Sequence, residues 1–578
     1  MNSRRGLALL FCLVWPALSG AGVAQETLAP SQVTPPSFQP ARRAPTGPVS
    51  PADFAIPESN GTPPEGAERF SIFVEDFHID GQFEDMTTAG RSIIAPLLQK
   101  TISVATIFNA AADLERAYVR AGYAFARVTV PPQKLSKRGR IRLLVIDGFV
   151  EAVDVAALPK AVQGVVRKRT ADLIGVRRLT TSQLERRLLL AGDVSGLQLR
   201  SVLARGEQTG GVRLVLDGKH RPISGGFSAD NKNGVSLRRW QFGANVSINS
   251  ALGFGEQIFG SLVTSPDAGR FFSNDPRLRI LGAGVVIPIG VNGLTATPEY
   301  TNSHTHATPV PGGLDTRGSF ERFALRLTAP LLRTRTQSIS VTATTERLTQ
   351  RSHATVFSRD TSLDEYSVIR GSIDASGQAF LGASYSASVT AAAGLGGRDR
   401  ADANRDGVPL SRQGAGPEFS KAGFTLQYVQ PLPLEGLRGT LTFAGQTTFN
   451  APALRSEQFS LDGSNLVSGV APGGLSVDRG LATRGEISRA ASFQTPVGAA
   501  IVAPYLFAAY GLGFLELPTA LEAARLSGRS VGAGVRFDFA GPNGAPGVNV
   551  GLEIARYASY IAATRRGSRV SVSVASRF

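Results

Sequence analysis

The 578-residue sequence contains one cysteine and five histidines, and these scarcities exclude several classes of site. A single Cys12 can form neither an intramolecular disulfide nor a cysteine-ligated metal cluster. So few histidines argue against a histidine-rich metal or acid–base centre. Charged residues make up 18% of the chain, against about 25% in typical soluble domains. Hydrophobic content is ordinary at 42%, and no apolar run reaches the roughly 20 residues of a membrane-spanning helix. The chain is therefore neither disordered nor a bundle of membrane helices.

The first 24 residues have the order of a secretory signal peptide. Arg4 and Arg5 precede a largely apolar stretch, residues 6–18, and small residues follow as far as Ala24. This stretch is too short to remain as a membrane anchor, so we predict export and cleavage after Ala24. Cys12 lies inside the removed segment and lacks the small preceding residues of a lipoprotein site.

The net charge of +16 falls to +14 once the two N-terminal arginines are removed. A basic chain can bind nucleic acid, but here the positive charges alternate singly with apolar residues and form no dense tract. We therefore expect no nucleic-acid partner. A surface facing anionic lipid headgroups, or a polar lumen, explains the charge better.

Three regions with different sequence patterns follow the signal peptide: a proline-rich leader, a pair of α+β modules and a region of strands. Residues 25–69 form a leader or linker, in which residues 25–64 contain ten prolines and show no apolar periodicity. Residues 70–149 and 150–221 each show strand and helix patterns and predict two tandem α+β modules. Residues 222–578 show only strand patterns. The predicted fold class is α+β followed by all-β.

Helical spacing and a capping signal support the two modules. Apolar residues from Ile107 to Ala121 recur at steps of three and four, and Gly122 follows as a C-cap. In the second module, Thr180 and Gln183 have the spacing of a capping box at the start of a helix.

From Pro222 onward, about sixteen segments of roughly ten residues alternate between apolar and polar or small residues. Val548, Val550, Leu552 and Ile554, for example, alternate with polar, small and charged residues. An even number of such strands with short turns at one end and long loops at the other predicts a transmembrane β-barrel, whose closed ladder satisfies every backbone group in lipid. A soluble sandwich or solenoid is the alternative. It is disfavoured by the signal peptide and by the aromatic end of the last strand, Phe578.

Several motifs resemble those of the two-partner secretion transporters, which export haemolysin- and haemagglutinin-like proteins (TpsB-type). The motifs are Tyr118–Gln133 and Gly139–Glu151 in the first module, Leu184–Leu188 and Leu203–Gly206 in the second, and Gly226–Asn231 in the first barrel strand. The resemblance implies a POTRA module at 70–149, a second POTRA module at 150–221, and a 16-stranded outer-membrane barrel at 222–578. It places the modules in the periplasm and makes Phe578 the barrel-closing terminus.

The resemblance also implies that a long loop, about residues 450–480, folds back into the barrel lumen. The loop motif would comprise Val467, Ser468, Gly469, Val470, Asp478, Arg479, Gly480 and Glu486, facing a barrel strand that carries Phe507, Ala509 and Gly511. The family has an arginine at the loop tip that pairs with a strand aspartate. Ser468 and Ala509 occupy those positions here, so both charges are expected to be missing together, unless the alignment is displaced by a few residues. Losing both partners of a buried pair can be nearly neutral, whereas losing one costs about 3–5 kcal/mol.

By this resemblance, the protein would export a large unfolded exoprotein, with outer-membrane lipid and the barrel assembly machinery as its other partners. The client-binding residues of the POTRA modules stay unknown. No cofactor, metal or enzymatic activity is expected, because no Walker-type loop or nucleophile elbow occurs. An outer-membrane protein assembly factor and a passive solute pore are the alternatives.

One further motif, Asp402–Gly407, matches the first six positions of a calcium loop. Pro409 interrupts the loop, and Gln413 replaces the glutamate required at position 12. A solvated external loop is therefore the preferred interpretation.

Overall fold

The computed structural model describes residues 63–134, 138–308, 315–462, 466–470, 472–495, 498–520, 522–540, 547–560 and 564–578. The predicted signal peptide and most of the proline-rich leader lie outside the described residues. Among the residues described, no helix is long and apolar enough to cross a membrane.

The first module packs two helices against a four-stranded sheet of order β2-β1-β4-β3. Its elements are β1 (Ser71–Asp80), α1 (Thr87–Ile94), β2 (Lys100–Ser103), α2 (Val104–Arg120), β3 (Ala126–Thr129) and β4 (Arg138–Asp147). The predicted helical spacing produces α2, which buries Ile107, Leu114 and Tyr118 against Ile141 of the sheet. Helix α1 and strand β2 are too short and too weakly periodic for the sequence analysis to have found them.

The second module has a three-stranded sheet of order β5-β7-β6 and two helices. Its elements are β5 (Phe149–Asp154), α3 (Lys160–Thr170), α4 (Thr181–Gly192), β6 (Leu197–Arg205) and β7 (Gly211–His220). Thr180 caps α4, and Gln183 returns its side chain to the Thr180 backbone, so the predicted capping box is present. Leu184 and Leu188 then face the sheet and enter the module core.

The second module is docked on one end of the barrel, called here the module end. Arg333 of the barrel donates two hydrogen bonds, of 3.0 and 3.1 Å, to the Asp193 carboxylate at the end of α4. Arg186 of the same helix donates to the carbonyls of Pro330 and Leu331. These contacts join α4 of the second module to the end of β13.

Sixteen antiparallel strands close into a barrel. They are β8 (Ile223–Asp230), β9 (Gln241–Asn249), β10 (Gln257–Thr264), β11 (Leu278–Ile289), β12 (Leu294–His306), β13 (Thr316–Arg333), β14 (Gln337–Ala354), β15 (Arg359–Gln378), β16 (Ser384–Gly397), β17 (Ser420–Pro431), β18 (Leu437–Thr447), β21 (Arg479–Arg489) continued by β22 (Ala491–Thr495), β23 (Gly498–Phe514), β24 (Arg525–Phe539), β25 (Gly547–Tyr560) and β26 (Thr564–Arg577). β21 and β22 count as one strand because both pair with β23 on either side of Ala490.

Alternation along the strands separates an apolar outer face from a polar lumen. On β13, Phe323 and Leu325 are exposed on the outside, while Arg322 and Ala324, which alternate with them, are buried inside. Turns at the module end are short, such as 334–336, whereas the opposite end carries the long connections 398–419 and 448–478. This asymmetry is the one that the sequence predicted for a membrane barrel.

The first and last strands meet over a short ladder. β26 pairs with β8 from Ser573 opposite Asp230 to Arg577 opposite Gly226. Phe578 then exchanges backbone hydrogen bonds of 3.0 and 3.1 Å with Gly225. Beyond the end of β8, the Asn231 side chain continues the pairing, because its amide donates to the carbonyl of Val570 and accepts from the N–H of Val572. The Arg569 side chain of β26 also donates to the carbonyls of Asn231 and Asn233, so the seam is closed partly by strand pairing and partly by side chains.

Candidate functional site

The connection between β18 and β21 folds into the barrel over its described residues, 448–462, 466–470 and 472–478, which are called here the lumen loop. Its first part contacts β15 and β17, and its tip contacts β21, β23, β24 and β25 on the other side. Two short strands, β19 (Phe459–Ser460) and β20 (Ser476–Val477), pair with each other within the loop. The loop therefore crosses the lumen and is held from several directions.

The tip of the lumen loop docks through an apolar cluster. Val467 and Val470 are buried with Ala509 of β23 and Leu526 of β24, and Tyr557 of β25 packs against them. Fully burying a valine contributes about 1.5–3 kcal/mol, so these two side chains give the tip a substantial affinity for the wall.

Gly469 allows the backbone of the tip to lie against β25. It adopts φ +96°, a left-handed conformation, and a Cβ placed there would lie 2.9 Å from the Tyr557 ring and 3.3 Å from the Ala555 Cβ. Any side chain at this position would therefore meet both backbone strain and a steric clash.

Ser468, the remaining tip residue, bonds to an arginine of the barrel wall. The Arg484 guanidinium on β21 donates to the Ser468 hydroxyl at 2.9 Å and to the Glu553 carboxylate of β25 at 2.7 Å. Its charge also lies 3.5 Å from Glu486 and 3.7 Å from the centre of the Phe507 ring. Arg484 is directly opposite Ala509 in the strand register, so the small alanine leaves the guanidinium room to reach the loop.

The uncharged tip meets a charged side chain on the wall. Ser468 and Ala509 do lack charges, but an arginine is present on the wall beside Ala509 rather than on the loop. Its carboxylate partner also comes from the wall, so the positive charge stays paired regardless of the loop.

The base of the lumen loop is held by a buried carboxylate. Glu457 is 1% exposed and accepts hydrogen bonds from Arg370 of β15 at 2.7 and 2.9 Å and from the Tyr366 hydroxyl at 2.6 Å. The Lys421 ammonium of β17 lies 2.8 Å away. Burial would raise the pKa of Glu457, but the charges of Lys421 and Arg370 outweigh it and lower the pKa to about 2.

Glu457 ends a series of alternating charges on the lumen wall. Arg370 also pairs with Glu346 at 2.9 Å, and Arg322 lies between Glu346 and Glu299 at 3.8 and 3.2 Å. The loop base is thus connected to four adjacent strands, β12 to β15, through charged side chains.

A third anchor lies where the loop rejoins the barrel. Asp478, fully buried, forms an ion pair with Arg412 of the 398–419 connection and accepts from the backbone N–H of Glu516. Arg412 also donates to the carbonyl of Glu516 and to the Glu522 carboxylate. Asp478 therefore joins three connections at the end opposite the modules, and it does not contact the loop tip.

The remaining residues of the predicted loop motif and its matching strand lie on the wall strands β21 and β23. Arg479 pairs with Glu516 at 2.6 Å, Gly480 lies opposite Gly513 in the register, and Glu486 pairs with Arg536 at 2.8 Å. Gly511 lies under the loop, since a Cβ there would be 3.1 Å from that of Leu461.

Within the loop, Asp462 organises the return toward β20. Its carboxylate accepts from the Ser460 hydroxyl and from the backbone N–H groups of Gly473 and Leu475. Burial without a cationic partner raises the pKa of Asp462, and these hydrogen bonds only partly oppose that rise.

The calcium-like motif forms a short helix, α5 (Arg400–Asp406), within the 398–419 connection. Asp399 and Asp402 form a capping box at its start, and Asp402 also pairs with Arg405. Within the described ranges, no group of three or more His, Cys, Asp or Glu side chains is placed to hold a metal ion.

Sequence reasoning missed Arg484, Glu457 and Arg412 as anchors. A signal existed for Arg484, because it precedes Glu486 by two residues and so shares its face of the strand. Glu457 and Arg412 lie in long connections without periodicity, where no pattern distinguishes them.

Solved structures with this fold include CdiB from Escherichia coli and CdiB from Acinetobacter baumannii. The first has a TM-score of 0.66 at 18% identity and covers 92% of this chain and 94% of that one. The second has a TM-score of 0.59 at 15% identity and covers 88% and 90%.

Among curated proteins, the chain is similar to the heme/hemopexin transporter protein HuxB of Haemophilus influenzae, at 22% identity over 180 residues. That match spans 30% of this chain and only 31% of HuxB. Two family descriptions also match: the ShlB-type POTRA domain at residues 74–148, and the haemolysin secretion/activation protein ShlB/FhaC/HecB at residues 210–535. The second match covers more than half of the chain and most of the barrel, including the lumen loop and all three of its anchors. The chain therefore belongs to the ShlB/FhaC/HecB family, the TpsB-type transporters, as an outer-membrane β-barrel with periplasmic POTRA modules.

Proposed function

We propose that this protein exports a large, unfolded haemolysin- or haemagglutinin-like exoprotein from the periplasm to the cell surface. The observation that carries the proposal is the lumen loop, which crosses a closed barrel and is anchored at its tip, base and end. A passage that is occupied at rest and held by separable contacts suits a transporter that opens for a client. A passive solute pore would need the same passage open.

The POTRA modules would receive the client by β-augmentation, in which an extended peptide adds a strand to a sheet edge. Strand β6 is an edge of the second module and presents Val202, which is 59% exposed, to solvent. Strands β2 and β3 are the edges of the first module. Main-chain hydrogen bonds at such edges accept many sequences, as capture of an unfolded protein requires.

Transport would proceed without nucleotide hydrolysis and without a catalytic step. Folding of the client outside the cell would make its passage irreversible. We propose outer-membrane lipid as the surroundings of the apolar face and the barrel assembly machinery as the factor that inserts the protein.

The test is secretion in cells that lack this protein and express a haemagglutinin-like exoprotein with or without it. The proposal expects exoprotein at the surface only when this protein is present, with other outer-membrane proteins unaffected. If depletion instead lowers the insertion of other barrels, the protein is an assembly factor. Steady, large conductance of the intact protein in planar bilayers would favour a solute pore.

A further inference from the structure

The lumen loop is fastened to the wall by chemically different anchors at its two ends. The tip contributes only neutral groups, the Ser468 hydroxyl and two valine side chains. The base contributes the Glu457 carboxylate and the end contributes the Asp478 carboxylate, both buried in ion pairs.

Arg484 remains satisfied when the tip is absent. Glu553 accepts its hydrogen bond at 2.7 Å, Glu486 lies 3.5 Å away, and Phe507 covers its face. Glu553 also accepts from the Tyr505 hydroxyl at 2.9 Å, and Glu486 is paired with Arg536. Withdrawal of Ser468 therefore uncovers a guanidinium whose charge is already balanced.

The base differs in this respect. Removing Glu457 would leave the Lys421 ammonium, which is 15% exposed, without a carboxylate, and would take from Arg370 one of its two. Removing Asp478 would leave the buried Arg412 with the more exposed Glu522 as its carboxylate partner. Each of these steps takes a partner from a buried charge, at a cost of about 3–5 kcal/mol, whereas withdrawal of the tip leaves every charge paired.

We propose that Arg484 is the positioning residue that seats the tip of the lumen loop, and that the tip is the part that leaves the wall while the base and end stay attached. The loop then opens as a flap anchored at Glu457 and Asp478, and it does not leave the barrel as a free plug. This inference rests on the proposed function for its purpose, although the motion can be measured without a client.

Single-channel recording of the full protein in planar bilayers tests the role of Arg484. Since a hydrogen bond to a charged group is worth about 1.5–3 kcal/mol, Arg484→Ala should raise the ratio of open to closed states roughly ten- to a hundredfold. Ser468→Ala should give a smaller increase in the same direction, and Arg484→Lys should recover part of the loss. Arg536→Ala is the matched control, because it removes a lumen arginine whose hydrogen bonds go to Glu486 of the wall.

Ser468→Ala leaves the wall network intact, so it separates seating of the tip from a purely structural role of Arg484. Two results together would refute the role of Arg484 in positioning the tip. In the first, the Ser468→Ala channel opens no more often than wild type; in the second, the Arg484→Ala channel opens no more often than the Arg536→Ala channel.

A disulfide between the tip and the wall tests which end moves. A Cβ on Gly528 of β24 would lie 3.9 Å from the Cβ of Val467, within the usual range for a disulfide, once the end of the Leu475 side chain, 2.6 Å from the new Cβ, turns aside. Cys12 is the only native cysteine. The channel of oxidised Val467→Cys/Gly528→Cys should stay closed, and the protein should not secrete. Reduction should restore channel opening and secretion, while the two single variants should not respond to oxidant.

Equal opening of the oxidised and reduced double variant would overturn the flap, because the tip would then not need to leave the wall. Failure of the reduced variant and of wild type alike to secrete an exoprotein would instead count against the proposed function. The conductance of the same proteins would still decide whether the tip moves.

Discussion

Replacing Glu457 by glutamine should detach the base of the lumen loop. The substitution keeps the shape of the side chain but removes the charge that faces Lys421 at 2.8 Å and Arg370 at 2.7 Å. Removing one partner of a buried ion pair costs about 3–5 kcal/mol. We expect the low end, about 3 kcal/mol, because Arg370 keeps Glu346 as a second partner.

A change of about 3 kcal/mol corresponds to roughly a hundredfold shift in the equilibrium between the seated and detached base. Hydrogen exchange of the loop reports this equilibrium, for example at the Leu461 amide that donates to the carbonyl of Leu475. We expect its protection to fall by about two orders of magnitude in Glu457→Gln, whereas protection in the strands of the barrel should not change.

The double variant Glu457→Gln/Lys421→Met removes both charges and should regain most of the lost protection. Glu321→Gln serves as the control, since Glu321 accepts from Tyr300 and Asn302 on the outer face of the wall. The reasoning is refuted if Glu457→Gln exchanges like wild type, or if the double variant is less protected than the single one.

Acid should loosen the same anchor: the folded pKa of Glu457, about 2, is below its ordinary 4.5, so its stabilising effect is complete above pH 4.5 and is lost as the pH falls toward 2. Between pH 7 and 3, protection of the Leu461 amide, corrected for its intrinsic exchange rate, should fall in wild type and change little in Glu457→Gln, and the reverse result would contradict the assignment. Arg412→Met should leave the buried Asp478 without its ion-pair partner and make the connections opposite the modules sensitive to added protease. The double variant Arg412→Met/Asp478→Asn should be less affected. Equal protease resistance of the single variant and wild type would show that the pair does not hold these connections. Arg333→Ala should weaken attachment of the second POTRA module to the barrel by about 1.5–3 kcal/mol, measured as faster hydrogen exchange at the end of α4. Arg335→Ala should have little effect, because its 3.5 Å pair with Glu185 is more exposed. Equal effects of the two variants would argue against a specific role for Arg333.

The sequence predicted the architecture well because the relevant signals are periodic and local. Alternation identified the sixteen strands, helical spacing identified α2, and the Thr180 capping box gave the start of α4. These features depend on residues within a few positions of one another, which a single sequence displays directly.

The anchors of the loop could not be read in the same way. Arg484 meets Ser468 because two strands and a returning loop bring them together, and Glu457 meets Arg370 across 87 residues. The sequence analysis noted the uncharged tip. Alternation places Arg484 on the same strand face as Glu486, but it does not show that this arginine meets Ser468. Ion pairs between distant elements depend on barrel registration, which only the folded structure provides.

The seam between β8 and β26 has a consequence for how the barrel is made. Asn231 and the carbonyl of Val570, which it contacts, are 339 positions apart in sequence, so the last ladder joins the most distant parts of the barrel chain. Contacts of such long range form slowly, because the entropy of closing the intervening chain must be overcome first. Until Phe578 bonds with Gly225, both terminal strands expose unpaired edges that can add strands from other chains. The ladder that seals the finished barrel therefore also determines how long its folding intermediate is open to aggregation.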